Sequence, residues 1–186
     1  MTDFANLPDG LEPPQDDGAA RHLEGRSLPH VSLASTAGGT VDLGALPGLC
    51  VLYCYPLTGR PGTSLPGGWN EIPGARGCTP QACAFRDLHK EFVRRGVAHL
   101  FGISTQTTAW QKEAAERLHL PFALLSDSSL VLQDMLDLPV MDVDGEALLK
   151  RLTMISRDGR IEKVFYPVFP PDRNADEVIA WRDTHS

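Results

Sequence analysis

Two cysteines, Cys78 and Cys83, are the residues of this chain whose type and spacing best suit chemistry. They lie in the run GCTPQAC, which begins with a turn-forming glycine and carries Pro80 where the first turn of a helix tolerates a missing N–H. A thiol at a helix N-terminus faces unpaired N–H groups and the positive end of the helix dipole. Both favour the thiolate, which is the nucleophile. The sequence therefore predicts a reactive cysteine at a helix start, with Cys78 or Thr79 as the N-cap.

The five-residue spacing of these cysteines has a structural consequence. On an intact helix, five residues rise about 7.5 Å and place the two Cα atoms roughly 8–9 Å apart on different faces. A disulfide spans only about 4.4–6.8 Å between Cα atoms. Cys78 and Cys83 can therefore bond only if the first turn of the helix unwinds. The alternative is two unrelated helix cysteines, one of them merely buried.

Composition and charge limit the classes of protein that this chain can represent. Its 186 residues are enough for one domain with a substantial core. A net charge of −7 argues against general binding to nucleic acid or to an anionic membrane. No segment has the pattern of a signal peptide or a membrane span, so we expect a cytoplasmic protein with reduced thiols. Cys50 and Cys54 are four residues apart in an apolar run, which favours core packing over a zinc site.

The pattern of apolar residues predicts the elements that position the two cysteines. Strands alternating with helices indicate an α/β domain with a mixed central sheet flanked by helices. Residues 1–22 are rich in Pro, Asp and Gly and predict a flexible or loosely docked N-terminal arm before a domain over 23–186. The predicted strands cover 28–33, 49–55, 97–104, 148–155 and 160–166, with a strand or extended segment over 121–126. The predicted helices cover 80–95, 108–119 and 130–136, and a last helix, capped by Asn174 or Asp176, ends near Trp181.

Several motifs together resemble the peroxiredoxins, and most closely the peroxiredoxin Q or bacterioferritin comigratory protein type. They are the strand VLYCYP ending at Pro56, the run GCTPQACAFRD from residue 77, and the later segments GIS, LPFALLSD and KRLTMI. This resemblance covers roughly residues 23–182. It implies a thioredoxin-like fold and a thiol peroxidase in which Cys78 is the peroxidatic cysteine and Cys83 the resolving one. It also implies that Arg151 faces the active cysteine and that Pro56 shields the thiolate.

The chain departs from the family pattern in one place. The pattern Pro-x3-Thr-x2-Cys supplies a threonine hydroxyl three residues before the peroxidatic cysteine, and this chain has Ala75 there. An insertion over about 59–76 separates Pro56 from Cys78. We therefore predict that Thr58 supplies the hydroxyl, with Thr63, Ser64, Thr79 or a water as alternatives.

The resemblance implies reduction of hydrogen peroxide or small alkyl hydroperoxides through a Cys78 sulfenic acid and an intramolecular disulfide with Cys83. Thioredoxin or a similar dithiol would reduce the disulfide, no metal or organic cofactor is expected, and we expect a monomer or weak homodimer. Two other functions compete. A thioredoxin-type oxidoreductase would normally carry Cys-x2-Cys, which this chain lacks. A non-enzymatic redox sensor would use the same pair of cysteines as a switch without fast peroxide turnover.

Overall fold

A buried strand, Leu49–Cys54, runs through the middle of the molecule, and the other elements are arranged around it. The computed structural model describes residue 7 and residues 10–185. Its strands are β1 Ser32–Ser35, β2 Thr40–Asp42, β3 Leu49–Cys54, β4 Val97–Ser104, β5 Leu124–Ser126, β6 Val140–Val143, β7 Glu146–Leu149, β8 Leu152–Arg157 and β9 Arg160–Phe165. Its helices are α1 Cys78–Asp87, α2 His89–Arg94, α3 Thr108–Arg117, α4 Val131–Leu136 and α5 Asn174–Thr184.

Seven strands form one mixed sheet in the order β2-β1-β5-β4-β3-β8-β9. The pairs β3–β4 and β4–β5 are parallel, and the other neighbours are antiparallel. The predicted mixed α/β architecture is confirmed. No helix in the described part of the chain is long and apolar enough to span a bilayer.

The side chains of β3 alternate between two hydrophobic clusters, as expected for a strand buried on both faces. Val51 and Tyr53 join a cluster with residues of α1, α2 and α5. Leu52 and Cys54 join the opposite cluster with residues of α4. The helix that carries the two cysteines therefore packs on one face of the sheet, with α5 beside it.

The structure corrects two of the predicted elements near the cysteines. The helix predicted over 80–95 is two helices, because the backbone at Leu88 leaves helical geometry with φ −94° and ψ 5°. The strand predicted over 148–155 is interrupted at residues 150–151, where β7 ends and β8 begins. Before the interruption, β7 pairs with β6 in a separate hairpin that the sequence analysis missed. The interruption matters because it contains Arg151.

Part of the predicted N-terminal arm contacts the body of the protein. Asp17 accepts hydrogen bonds from Lys150 Nζ at 2.7 Å and from the Tyr166 hydroxyl at 2.8 Å. Ala20 is buried in the core at 4% exposure. The contact with Lys150 holds Asp17 beside the break between β7 and β8. Residues 1–6, 8 and 9 of the predicted arm lie outside the described residues.

Candidate active site

The helix α1 begins at Cys78, and the residue before it sets the geometry of the turn. Gly77 is the N-cap, with φ 102°, a left-handed conformation that glycine adopts without strain. A Cβ atom at this position would lie 2.2 Å from Pro171 Cγ and 2.8 Å from Leu7 Cδ2. The prediction that Cys78 or Thr79 caps the helix is therefore wrong, since both residues are already helical.

Cys78 is the first residue of α1, and its side chain is almost completely buried, with 4% exposure. In this position the N–H groups of Cys78 and Thr79 have no carbonyl partner inside the helix, and Pro80 has no N–H to offer. The first bond of the helix runs from Gln81 N to Gly77 O at 3.0 Å. The Cys78 sulfur therefore lies at a helix N-terminus where two backbone N–H groups have no partner inside the helix.

Arg151 contacts the Cys78 sulfur directly. Its Nη2 donates to Cys78 Sγ over 3.2 Å, and the residue is only 3% exposed. The same nitrogen donates to the backbone oxygens of Arg76, Ala75 and Gly74 at 3.0, 3.2 and 3.4 Å. A buried guanidinium in this position gives the sulfur a cationic hydrogen-bond donor. The structure thus brings together two residues that are 73 positions apart in the chain.

A buried chain of hydrogen bonds continues from Arg151 into the protein. Arg151 Nη1 donates to Gln81 Oε1, and Gln81 Nε2 donates to Asn174 Oδ1 at 3.0 Å. The Thr153 hydroxyl also donates to Asn174 Oδ1, at 2.6 Å. Sequence reasoning missed this chain. The sequence predicts Asn174 as a candidate cap for the last helix, whereas Arg173 occupies that N-cap and the Asn174 side chain bonds Gln81 instead.

Cys83 lies one turn further along α1 and is half-buried. Burial raises the pKa of its thiol, with Asp87 adding to the effect and Arg86 and Arg117 opposing it. Both cysteines are free, and the helix between them is intact. An intact helix separates their Cα atoms by roughly 8–9 Å, so a disulfide requires the start of α1 to unwind.

The insertion predicted over 59–76 forms a wall beside Cys78. Cys78 borders a cavity of about 10 Å³ that Leu57, Leu65 and Trp69 line on the apolar side. Such a space holds about one water molecule. Trp69 is 4% exposed and packs in a small cluster with Ala75 and with residues 143 and 148 of the β6–β7 hairpin. The insertion is therefore anchored, and the site is nearly closed to solvent.

This arrangement of a buried, arginine-bonded cysteine and a second cysteine on the same helix can be compared with known proteins. The redoxin family model matches residues 23–179. The chloroplastic peroxiredoxin Q of Sedum lineare is 30% identical over 161 residues, which cover 86% of this chain and 77% of that protein. The chain is a member of the peroxiredoxin Q family. The corresponding protein of Populus jackii is 29% identical over 161 residues, covering 86% of this chain and 68% of that protein.

Solved peroxiredoxin structures share the fold. The Mycobacterium tuberculosis peroxidoxin BcpB has a TM-score of 0.70 and 26% identity, with 88% of this chain and 97% of that chain covered. The Xanthomonas campestris peroxiredoxin Q has a TM-score of 0.65 and 23% identity, with 95% and 97% covered. The predicted thioredoxin-like fold is confirmed, since this peroxiredoxin superimposes on those proteins over most of its length.

The departure of this peroxiredoxin from the family pattern is also visible. Ala75 is fully buried, and no hydroxyl occupies its position. The Thr58 hydroxyl donates to Gln106 Oε1 at 3.1 Å, and no hydrogen bond joins Thr58 to Cys78 among the described residues. Thr79 is buried and borders the Cys78 cavity. The role of Thr58 stays a prediction. Of the residues named as alternatives, Thr79 lines the Cys78 cavity, and Thr63 and Ser64 do not.

The remaining residues singled out in the sequence lie deeper in the molecule. Pro56 is buried immediately after β3 and its neighbour Tyr55, and its shielding role stays a prediction. Cys50 and Cys54 are completely buried in β3, as core packing predicts. Burial raises the pKa of both thiols, which keeps them protonated and unreactive.

Proposed function

We propose that this peroxiredoxin reduces hydrogen peroxide and small alkyl hydroperoxides, with Cys78 as the peroxidatic and Cys83 as the resolving cysteine. The observation that carries the proposal is the contact of 3.2 Å between Arg151 Nη2 and Cys78 Sγ at the first residue of α1. A cationic donor contacts the sulfur there, at a helix start whose first two N–H groups have no partner inside the helix. The sulfur is also nearly enclosed, with Cys78 only 4% exposed.

The first step is a displacement at oxygen. The Cys78 thiolate attacks the terminal oxygen of ROOH, the O–O bond breaks, and the sulfur is oxidised to a sulfenic acid while the peroxide is reduced. The leaving RO⁻ takes a proton and departs as ROH, which is water when the substrate is hydrogen peroxide. Arg151 and the N–H groups of Cys78 and Thr79 stabilise the negative charge that develops on the leaving oxygen.

The second step forms the disulfide. After the start of α1 unwinds, the Cys83 thiolate attacks the sulfur of the Cys78 sulfenic acid. A disulfide forms and the hydroxyl leaves as water after taking a proton. An external dithiol, for which thioredoxin is the proposed example, then reduces the disulfide by thiol–disulfide exchange. The cycle needs no metal or organic cofactor.

The cavity and the relatives support the substrate range. A space for about one water beside Cys78 admits a small peroxide after a modest movement of the insertion. The bacterioferritin comigratory protein of Xanthomonas campestris is described by its alkyl peroxide reduction activity, and Prx3 of Vibrio vulnificus was solved in complex with hydrogen peroxide. A cytoplasmic location and a monomeric or weakly dimeric state complete the proposal, although the peroxiredoxin Q relatives compared above are chloroplastic.

The test is the rate of peroxide consumption by the reduced protein in a thioredoxin-recycling assay. Cys78→Ser is expected to abolish consumption, and Cys83→Ser to give one turnover and then stall. Cys50→Ala serves as the control, because Cys50 is buried away from the site and its loss should leave the rate unchanged. Consumption by the wild type no faster than that of a free thiol would overturn the proposal. Because Ala75 lacks the family hydroxyl, that outcome would favour a redox sensor.

A further inference from the structure

We infer that Asn174, held by Thr153, is a positioning residue for the resolving step of the proposed peroxidase. It keeps the start of α1 wound by holding Gln81, and it thereby sets how fast the two cysteines form a disulfide. The inference rests on the proposed function, because it concerns the step that follows oxidation of Cys78. We call the set Gln81, Asn174 and Thr153 the latch.

The donors and acceptors of the latch can be arranged in only one way. A guanidinium group has donors and no acceptor, so Arg151 must meet the oxygen end of the Gln81 amide. Gln81 therefore presents its NH₂ group to Asn174, which must accept the hydrogen bond with its side-chain oxygen. The Thr153 hydroxyl donates to that same oxygen at 2.6 Å. Each bond thus fixes the direction of the next, from the active-site cation to strand β8.

The latch is also shielded from solvent. Gln81, Asn174 and Thr153 are each 0% exposed. Inside a protein, a hydrogen bond that breaks without a replacement costs more than one that water can replace. The free-energy cost of breaking these bonds therefore opposes any movement that takes Gln81 away from Asn174.

Resolution requires that movement. Gln81 lies between Cys78 and Cys83 on α1, three residues after the first and two before the second. Unwinding the helix start to bring the two sulfurs together carries Gln81 with it. The contacts of the latch lie on α5 and β8, which do not belong to the segment that unwinds. The latch must therefore open before the disulfide can form.

A slow opening has a chemical consequence. While the helix is wound, the Cys78 sulfenic acid remains apart from Cys83 and exposed to a second peroxide. The sulfur of the deprotonated sulfenic acid can then attack an oxygen of that second ROOH. The O–O bond breaks, the sulfur is oxidised to a sulfinic acid, and one further molecule of ROH leaves after taking a proton. The latch thus decides how the sulfenic acid divides between the disulfide, which a dithiol can reduce, and the sulfinic acid, which it cannot.

The experiment measures resolution separately from oxidation. The reduced protein is mixed with one equivalent of hydrogen peroxide and quenched with a thiol-alkylating reagent at increasing times. Mass spectrometry then gives the fractions of Cys78 sulfenic acid and of disulfide. Asn174→Ala should speed disulfide formation about fivefold, the size of one ordinary buried hydrogen bond. The concentration of peroxide that converts half of Cys78 to sulfinic acid should rise by about the same factor.

Two further variants separate positioning from general loosening. Thr153→Val keeps the shape and removes the hydroxyl, so it should speed resolution by about two- to threefold, whereas Thr153→Ser should restore the wild-type rate. Gln111→Ala is the matched control, since Gln111 is also a fully buried amide but bonds Ser104 and Leu125 away from α1. It should lower the melting temperature without changing the resolution rate.

The outcomes are distinguishable from failure of the proposed function. If the wild type forms no sulfenic acid at Cys78, the peroxidase proposal is wrong and the latch falls with it. If the wild type forms the disulfide but Asn174→Ala and Thr153→Val do so at the wild-type rate, only the latch is wrong. Equal acceleration by Gln111→Ala would also overturn it, because the effect would then reflect lower stability alone.

Discussion

Arg151 Nη2 lies 3.2 Å from Cys78 Sγ and also donates to three consecutive backbone oxygens just before that cysteine. One guanidinium nitrogen therefore holds both the reactive sulfur and the loop that delivers it. Positioning of the loop and contact with the sulfur are coupled in a single side chain, which a point charge on a flexible stem would not reproduce.

Arg151→Lys is expected to slow oxidation of Cys78 by about 100-fold, because one oriented donor to a developing anion is typically worth that much. The measurement is the second-order rate constant with hydrogen peroxide in single-turnover experiments. Arg157→Lys is the control, since Arg157 ends β8, the strand that begins just after Arg151, but pairs with Glu162 at the surface. A rate within threefold of the wild type would show that the positive charge alone suffices.

Trp69→Ala is expected to widen the cavity beside Cys78 and to change which peroxides react. The rate with a bulky substrate such as cumene hydroperoxide should rise at least tenfold relative to the rate with hydrogen peroxide. The removed ring also leaves a void, so the melting temperature should fall. Trp181→Ala, in α5, is the comparison. Trp181→Ala should leave the ratio of rates unchanged. If Trp69→Ala also leaves it unchanged, the insertion does not select substrates by size.

Thr58→Val is expected to slow oxidation of Cys78 by about tenfold, through loss of the hydroxyl that we predict to contact the peroxide. In the structure this hydroxyl bonds Gln106, so it must turn toward the cavity when peroxide binds. Thr58→Ser should retain most of the activity. A wild-type rate in Thr58→Val, together with a loss in Thr79→Val, would assign the hydroxyl to Thr79 instead.

The resolving step should become faster as the pH rises. Burial in the wound helix raises the pKa of Cys83 above its ordinary value of 9.0. This proton-linked preference for the wound state is therefore fully present below pH 9.0. It is lost as the pH rises from 9.0 toward the raised pKa, so the unwound state becomes relatively more favourable. Below the pKa, the Cys83 thiolate fraction grows about tenfold per pH unit. Quenched-flow measurement of disulfide formation between pH 6.5 and 8.5 should show this slope, and a flat profile would contradict it.

The sequence was sufficient for the framework of the sheet because the central strands have strong local signals. The apolar, β-favouring runs at 49–55 and 97–104 predict β3 and β4, and Asp158-Gly159 predicts the turn between β8 and β9. The β6–β7 hairpin was missed although Asp144-Gly145 marks its turn. The apolar residues of β7 and β8 form one nearly continuous run in the sequence, and this run hides the break that contains Arg151.

The site itself was only partly accessible from the sequence. The spacing of Cys78 and Cys83 could be interpreted without a structure, because helix geometry converts spacing into distance. The contacts of Asn174 could not be predicted from the sequence. Its partners Gln81 and Thr153 are distant in the chain and meet only after the sheet and α5 have assembled. Its local signal, an asparagine at a helix start, indicates a cap, and tertiary packing overrode it.

The burial of Trp69 beside Cys78 gives the protein an intrinsic optical reporter. Indole emission shifts to longer wavelength when water reaches the ring, and Trp69 borders the same small cavity as the reactive sulfur. When the start of α1 unwinds, that wall of the cavity is lost and the emission of Trp69 should change. The opening of the helix can then be followed in real time on the unlabelled protein.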